Sequence, residues 1–169
     1  MNPWYAIHCR SCCEFHVERE LQRHHIETYL PTRTRKGFRN SVVELPLLPP
    51  YVFARADTVE IYGVLRFTGW LIEIVGTPRG PLEIPADQVE LLKLMVSRPK
   101  VEVVKLEDVW KGGEDVEITS GAFQGRRGRV AMVKGKTRLI IVLEALGRAV
   151  SVELEAEDIR IVPELPKAA

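Results

Sequence analysis

An α+β fold in two domains is predicted from three features of this 169-residue chain. Strand-like and helix-like periods alternate from Trp4 to Ser97. A mixed segment ending in two glycines follows, and beyond Asp115 there are only short strands parted by glycine-bearing turns. The expected layout is an α/β sandwich over residues 1–98, mainly antiparallel sheet with flanking helices, then a linker over 99–112 and a small β-barrel over 113–169.

The elements are justified in chain order. Trp4 to Arg10 alternates as a strand, with Tyr5, Ile7 and Cys9 on one side. Glu14 to His25 reads as a helix because Val17 and Leu21 stand four apart, and Ile26 follows where the chain leaves it. "ETYLP" is a short strand ended by Pro31, and the basic "TRTRKGFRNS" has no apolar period, so it is expected to be a solvated loop. "VVEL" and "YVFARA" are strands separated by "PLLPP", whose prolines forbid regular ladder pairing. Thr58 to Phe67 suits a short helix, "LIEIV" a strand, and "PADQVELLKLMVS" a helix with Pro85 near its start and Val89, Leu92 and Val96 along one face. The sheet should hold about four strands.

"RPKVEVVKLEDVWKGG" reads as the linker. The strands "DVEI", "GRVAMV", "RLIIVLEA", "AVSVEL" and "IRIV" come after it, with glycine in each break. So few residues cannot bury both faces of a flat sheet, and curling into a barrel removes the exposed edges.

Composition names no partner: the chain is 46% hydrophobic and 28% charged, with formal net charge +1. The start shows no basic segment leading into a long apolar stretch, and the longest aliphatic run, Leu139 to Leu143, is too short to span a bilayer. A cytoplasmic monomer without membrane contact is expected. The three cysteines all lie between Cys9 and Cys13, so reduced thiols are expected rather than a disulfide framework.

"IHCRSCCEFH", residues 7 to 16, raises a metal or thiol reading. Cys9 and Cys12 have the spacing of a zinc pair, but no second cluster exists apart from His24 and His25, and no partnered Asp or Asn stands in a recognisable catalytic frame. The expectation is no metal, no cofactor and no enzyme, with Cys9 as a small buried hydrophobe.

"VEITSGAFQGRRGRV", Val116 to Val130, resembles the KOW motif of ribosomal proteins and of the NusG family of transcription factors. Phe123 can plug the end of a small barrel, Gly121 and Gly125 allow the bend, and Gly128 avoids a neighbouring strand. Arg126, Arg127 and Arg129 are candidates for phosphate contact. "WYAIHCR", "HIETYLP", "ELPLLPPYVFARAD" and "VLRFTGWLIEIVG", in that order, resemble the N-terminal NGN domain of the same family, and its RfaH and UpxY type of antiterminator in particular. The likeness runs from Trp4 to Val162 and implies an SH3-like barrel at the C-terminus.

What the resemblance implies is a non-enzymatic elongation factor that binds the clamp helices of RNA polymerase and suppresses pausing and termination. Its docking surface would include His8, Leu48, Pro50, Tyr51, Phe53, Val89 and Leu92. Leu48 departs from the aromatic common at that position. From alternation alone, Tyr51 and Phe53 fit a core strand as well as an interface. A second surface, Arg10, His16, Arg19 and Arg23, would face non-template DNA or nascent RNA, with a solvated helix face as the plain alternative. "RTRK" at Arg33 to Lys36 would add non-specific attraction. The barrel would recruit a ribosomal protein or Rho, with Leu146 where the family carries an aromatic. "IYGV" at Ile61 to Val64 does not reproduce the RfaH-type second polymerase contact. The Val- and Ile-rich strands from Val130 to Val152 predict no refolding into helices. The rival readings are an RNA-binding KOW protein recognising a leader-RNA hairpin or ribosomal component, and a zinc or thiol enzyme.

Overall fold

The computed structural model describes residues 2–98, 100–105, 114–120, 123–133, 136–143 and 146–153. By its contacts the chain divides into two units, one ending at Val89 and the other beginning at Glu90.

The first unit is built on strand β1 (Trp4–Cys9). It pairs antiparallel with β5 (Tyr51–Arg55), β6 (Leu71–Ile74) and β9 (Glu83–Ile84), and β2 (Glu27–Tyr29) extends the sheet beyond β5. The result is a five-stranded sheet of order β2-β5-β1-β6, with β9 also on β1. β1 lacks polar alternation because both of its faces are covered: only His8 of its six residues escapes burial. Tyr5, Ile7 and Cys9 of β1, with Val52 and Ala54 of β5, pack in one core with Val17 and Leu21 of helix α1 (Glu14–Arg23) and Ile61 and Leu65 of helix α2 (Thr58–Leu65).

The helix ends follow from local chemistry. At the end of α1, His25 takes φ +60 and donates its amide to Gln22, while Ile26 donates to Leu21 at 3.1 Å. This is a Schellman arrangement with histidine where glycine is usual, and Ile26 and Leu21 both enter the core. α2 starts on Asp57, whose carboxylate accepts from the Val59 amide at 2.7 Å, a cap that contributes about 1 kcal/mol.

Two segments differ from expectation. Residues 32–46 are not an irregular loop followed by one strand but a hairpin of β3 (Thr32–Lys36) and β4 (Val42–Pro46), in register from Thr32 opposite Pro46 to Lys36 opposite Val42. The strand was hidden because β3 alternates threonine with arginine and carries no apolar residue to show a period. After β6 the chain also makes a small ribbon of β7 (Gly76–Thr77) and β8 (Gly80–Pro81) before β9, too short to signal by periodicity. Helix α3 (Ala86–Val96) starts just after Pro85, as expected, with Val89, Leu91, Leu92 and Met95 buried.

The second unit carries a five-stranded antiparallel sheet of order β10-β14-β13-β12-β11, from β10 (Glu102–Lys105), β11 (Glu114–Glu117), β12 (Arg127–Val133), β13 (Lys136–Leu143) and β14 (Arg148–Glu153). Four of the five expected strands are present, and "IRIV" lies outside the described residues. The fifth comes from the segment read as linker, because the β-branched "EVVK" pairs with β14. Arg138 on β13 is buried, with its Nη1 2.7 Å from Glu102 Oε2 and 3.2 Å from Ser151 Oγ, so a charge pair ties β10 to the sheet.

Candidate functional site

Two faces of the first unit gather the candidate residues. The first is the sheet face opposite α1 and α2. Antiparallel register sets His8 across from Tyr51, Ala6 across from Phe53 and Trp4 across from Arg55, so these side chains share that face. The His8 and Tyr51 rings stand 5.3 Å apart, and His8 Nδ1 lies 3.3 Å from Glu73 Oε1 on the neighbouring strand.

The turn leading into β5 is fixed by hydrogen bonds. Tyr51 N–H donates to Leu48 O at 2.9 Å across a cis Pro49–Pro50 bond. The Pro50 carbonyl accepts twice from one residue, from the Cys9 amide at 3.0 Å and the Cys9 thiol at 3.1 Å. Burial, and then the nearby Glu14 carboxylate and Cys13, push the Cys9 thiol up to about 12. A thiol held that high is a hydrogen-bond donor and not a nucleophile at neutral pH. All three cysteines are free, and no group of three or more His, Cys, Asp or Glu suited to a metal occurs among the described residues.

The docking residues inferred from resemblance fall into two sets. His8, Pro50 and Tyr51 are partly accessible. Leu48, Phe53, Val89 and Leu92 are each 0% exposed, and Phe53 stacks on Tyr29 with ring centroids 6.3 Å apart. Those four are packing groups, Leu92 within the second unit, and only His8, Pro50 and Tyr51 of the seven reach solvent. The pattern "YVFARA" could not separate these roles, because alternation gives a residue's side of a sheet and not what covers that side.

The second face lies along α1. Arg10, His16, Arg19 and Arg23 are all exposed. Arg23 lies 3.4 Å from Glu20, while Arg10 and Arg19 have no carboxylate within ion-pair distance among the described residues. The structure adds a member that the sequence reading omitted: Trp70, whose ring centroid is 5.3 Å from that of His16 and whose carbonyl accepts from the Arg10 amide at 2.9 Å. Nearby in sequence, Arg66 lies over the ring of Phe67, which is 81% exposed. "RFTGW" carries the signal, two aromatics flanking a glycine that takes φ +71, but it reads in sequence as a turn. The indole and imidazole planes are tilted by 48°, and arginines beside such rings can hold phosphate while one ring face stacks a base.

In the second unit Phe123 is buried beneath Arg98, whose guanidinium lies 5.7 Å from the ring centroid. Gly125 takes φ +76, which disfavours any side chain, and Gly128 sits in β12 opposite Val116. Gly121 and the side chain of Arg127 lie outside the described residues, and Arg126 and Arg129 are half-buried. Leu146, the expected recruiting contact, is buried and offers no free apolar surface here. No helix among the described residues is long and apolar enough to cross a membrane.

The family described as "Transcription termination factor nusG" matches residues 2–93. Among solved structures, the chain is similar to NusG of Thermotoga maritima, from a structure concerned with its domain interaction. The two are 20% identical, with a TM-score of 0.54, and the match covers 94% of this chain and 96% of that one. The MjSpt4:Spt5 complex in conformation A matches at 16% identity over 96% of this chain and 99% of that one, with a TM-score of 0.32.

Proposed function

This chain belongs to the NusG family, and from that premise we propose that it is a transcription elongation factor which rides on RNA polymerase through the sheet face bearing His8, Pro50 and Tyr51. The observation that carries the reading is the His8–Tyr51 pair beside the proline-fixed turn. Two rings held 5.3 Å apart on a rigid sheet lose little freedom on docking, which is how a few residues come to dominate an interface. The partner is the pair of clamp helices of the largest subunit. Leu48, Phe53, Val89 and Leu92, each fully buried, serve as packing groups and not as contact surface.

The α1 face, with Arg10, His16, Arg19 and Arg23 completed by Trp70, takes single-stranded nucleic acid at the transcription bubble. It supplies guanidinium groups for phosphates and a stacking surface for one base. Binding polymerase and displaced strand together favours the closed, elongating state by the difference in affinity between states, which suppresses pausing and termination in the manner of the RfaH and UpxY branch. The second unit acts as a KOW-type barrel that brings in a further partner, a ribosomal protein or Rho.

Retention of the full-length chain on an immobilised clamp-helix fragment tests this. Tyr51→Ala and His8→Ala should each lower retention by at least tenfold, and retention equal to wild type would remove the proposed surface. Titrating single-stranded DNA and a hairpin RNA at two salt concentrations separates the rival: tight, structure-dependent RNA binding would favour an RNA-binding protein.

A further inference from the structure

We propose that the β3–β4 hairpin recruits an acidic, extended segment of another protein, which adds to the open edge of β3 as a third strand. This surface is distinct from the polymerase and single-strand faces. Register divides the ribbon into two unlike sides. Arg33 stands opposite Leu45 and Arg35 opposite Val43, so one side holds two cations, two apolar residues and no carboxylate. The other side carries Lys36 and Glu44 and is neutral, and Glu44 there accepts from the Thr32 hydroxyl at 2.5 Å. Arg33 and Arg35 are exposed, and neither has a carboxylate within ion-pair distance among the described residues.

The one-sided charge selects the partner. Arg33 and Arg35 are two residues apart on one strand and so about 7 Å apart, the spacing of carboxylates at every second residue of another strand. β3 pairs only with β4 among the described residues, which leaves its outer edge open. A strand laid on that edge with its acidic side chains on the arginine side sets a carboxylate across from each guanidinium, the favourable form of a cross-strand pair. Cations along an open edge also keep a strand from pairing with copies of itself, since like charges would then meet. The charges that repel a second hairpin therefore admit a strand of opposite sign. Nucleic acid fits less well. The neutral side gives a polyanion nothing to wrap, the arginine side has no aromatic ring to stack a base, and Val43, 42% exposed, offers an apolar contact that phosphates do not reward.

The ribbon is fixed at both ends. Its turn is held by the Gly37 amide donating to Ser41 O at 2.7 Å and the Ser41 hydroxyl donating to Phe38 O at 2.8 Å. A Cβ on Gly37 would meet Ser41 Oγ at 2.6 Å and Val43 Cγ2 at 2.8 Å, so glycine lets the turn close against the arginine side. At the base, the Leu47 amide donates to Pro31 O at 2.7 Å and ties the ribbon to the domain. An edge formed in advance loses little freedom when a strand is added, and the ordering cost falls on the incoming segment.

Fluorescence anisotropy of the full-length chain tests this with two labelled peptides of the same composition and charge. In SETEVETES the glutamates fall on one side of a strand, and in SEEEEVTTS they are contiguous. The alternating peptide should bind about fivefold more tightly than the contiguous one. Arg33→Ser with Arg35→Ser should weaken the alternating peptide by about tenfold and leave clamp-helix retention unchanged, which shows that the variant is folded. Lys36→Ser, on the neutral side, should stay within about twofold of wild type. The proposal is overturned if the two peptides bind alike, if the serine form keeps the wild-type affinity for the alternating peptide, or if Lys36→Ser costs as much. It is also overturned if the serine form loses affinity for single-stranded DNA instead, which would make the arginine side a nucleic-acid surface. The two peptides on the wild-type chain decide the matter if the serine form does not fold.

Discussion

Phe53→Ala separates what a ring does inside the protein from what it does for a partner. Phe53 is 0% exposed, stacked on Tyr29, and sits on the central pair of strands opposite Ala6. Removing a fully buried phenyl ring costs about 3–5 kcal/mol, the transfer energy of the ring plus that of the cavity left behind. A domain of this size is stable by about 5–15 kcal/mol, so the variant should still fold with much of its margin gone. With a urea slope of about 2 kcal/mol per molar, the midpoint for the N-terminal unit should fall by about 2 M, followed by far-ultraviolet circular dichroism of the full-length chain. Tyr51→Ala removes a half-exposed ring and should move the midpoint by less than half as much, while having the larger effect on clamp-helix retention. If Phe53→Ala moves the midpoint by under 0.5 M (about 1 kcal/mol) yet abolishes retention, the assignment of Phe53 as a packing group is wrong.

Three further outcomes follow from single environments. Burial, and then the Glu44 carboxylate, raise the pKa of Glu18 above its ordinary value, outweighing the opposing hydrogen bond from the Leu30 backbone. A raised carboxyl favours the fold below its ordinary pKa and disfavours it once pH passes the folded value, so Glu18→Gln should raise the melting temperature at pH 7 and leave it unchanged near pH 3.5. Iodoacetamide at pH 7.5 should modify exposed Cys12 readily and leave Cys9 unlabelled until denaturant is added, read by peptide mass; prompt labelling of Cys9 would contradict its burial and its hydrogen bond to Pro50. Glu102→Ala leaves the buried Arg138 guanidinium without its carboxylate; because the Glu102 side chain is 55% exposed, water softens the loss to about 1–3 kcal/mol, visible as a lower unfolding midpoint for the second unit.

Much of the fold was legible because its signals are local. The four-residue step from Val17 to Leu21, Pro85 ahead of α3 and the glycine-parted strands after Asp115 each determine a short stretch without reference to the rest. Of the hairpin only β4 was legible, as "VVEL"; β3 was not, because its alternating threonine and arginine carry no apolar period. β10 hid in the linker, since four residues of valine and charge become a strand only when β14 supplies the partner. The surfaces show the same division. The family resemblance marked His8, Tyr51 and the arginines of α1, but Trp70 joins His16 through the turn at Gly69, and Phe53 and Leu48 are closed off by packing from elsewhere in the fold. Neither relation is written in neighbouring residues.

Strand β1 precedes all of its partners, which lie at Tyr51–Arg55, Leu71–Ile74 and Glu83–Ile84. During synthesis its greasy residues emerge ahead of β5 and must wait for it: forty-six positions separate Cys9 from Arg55, about 2–9 s at ordinary translation speeds. Any fragment stopping before residue 84 would keep part of that strand's edge bare and prone to clumping.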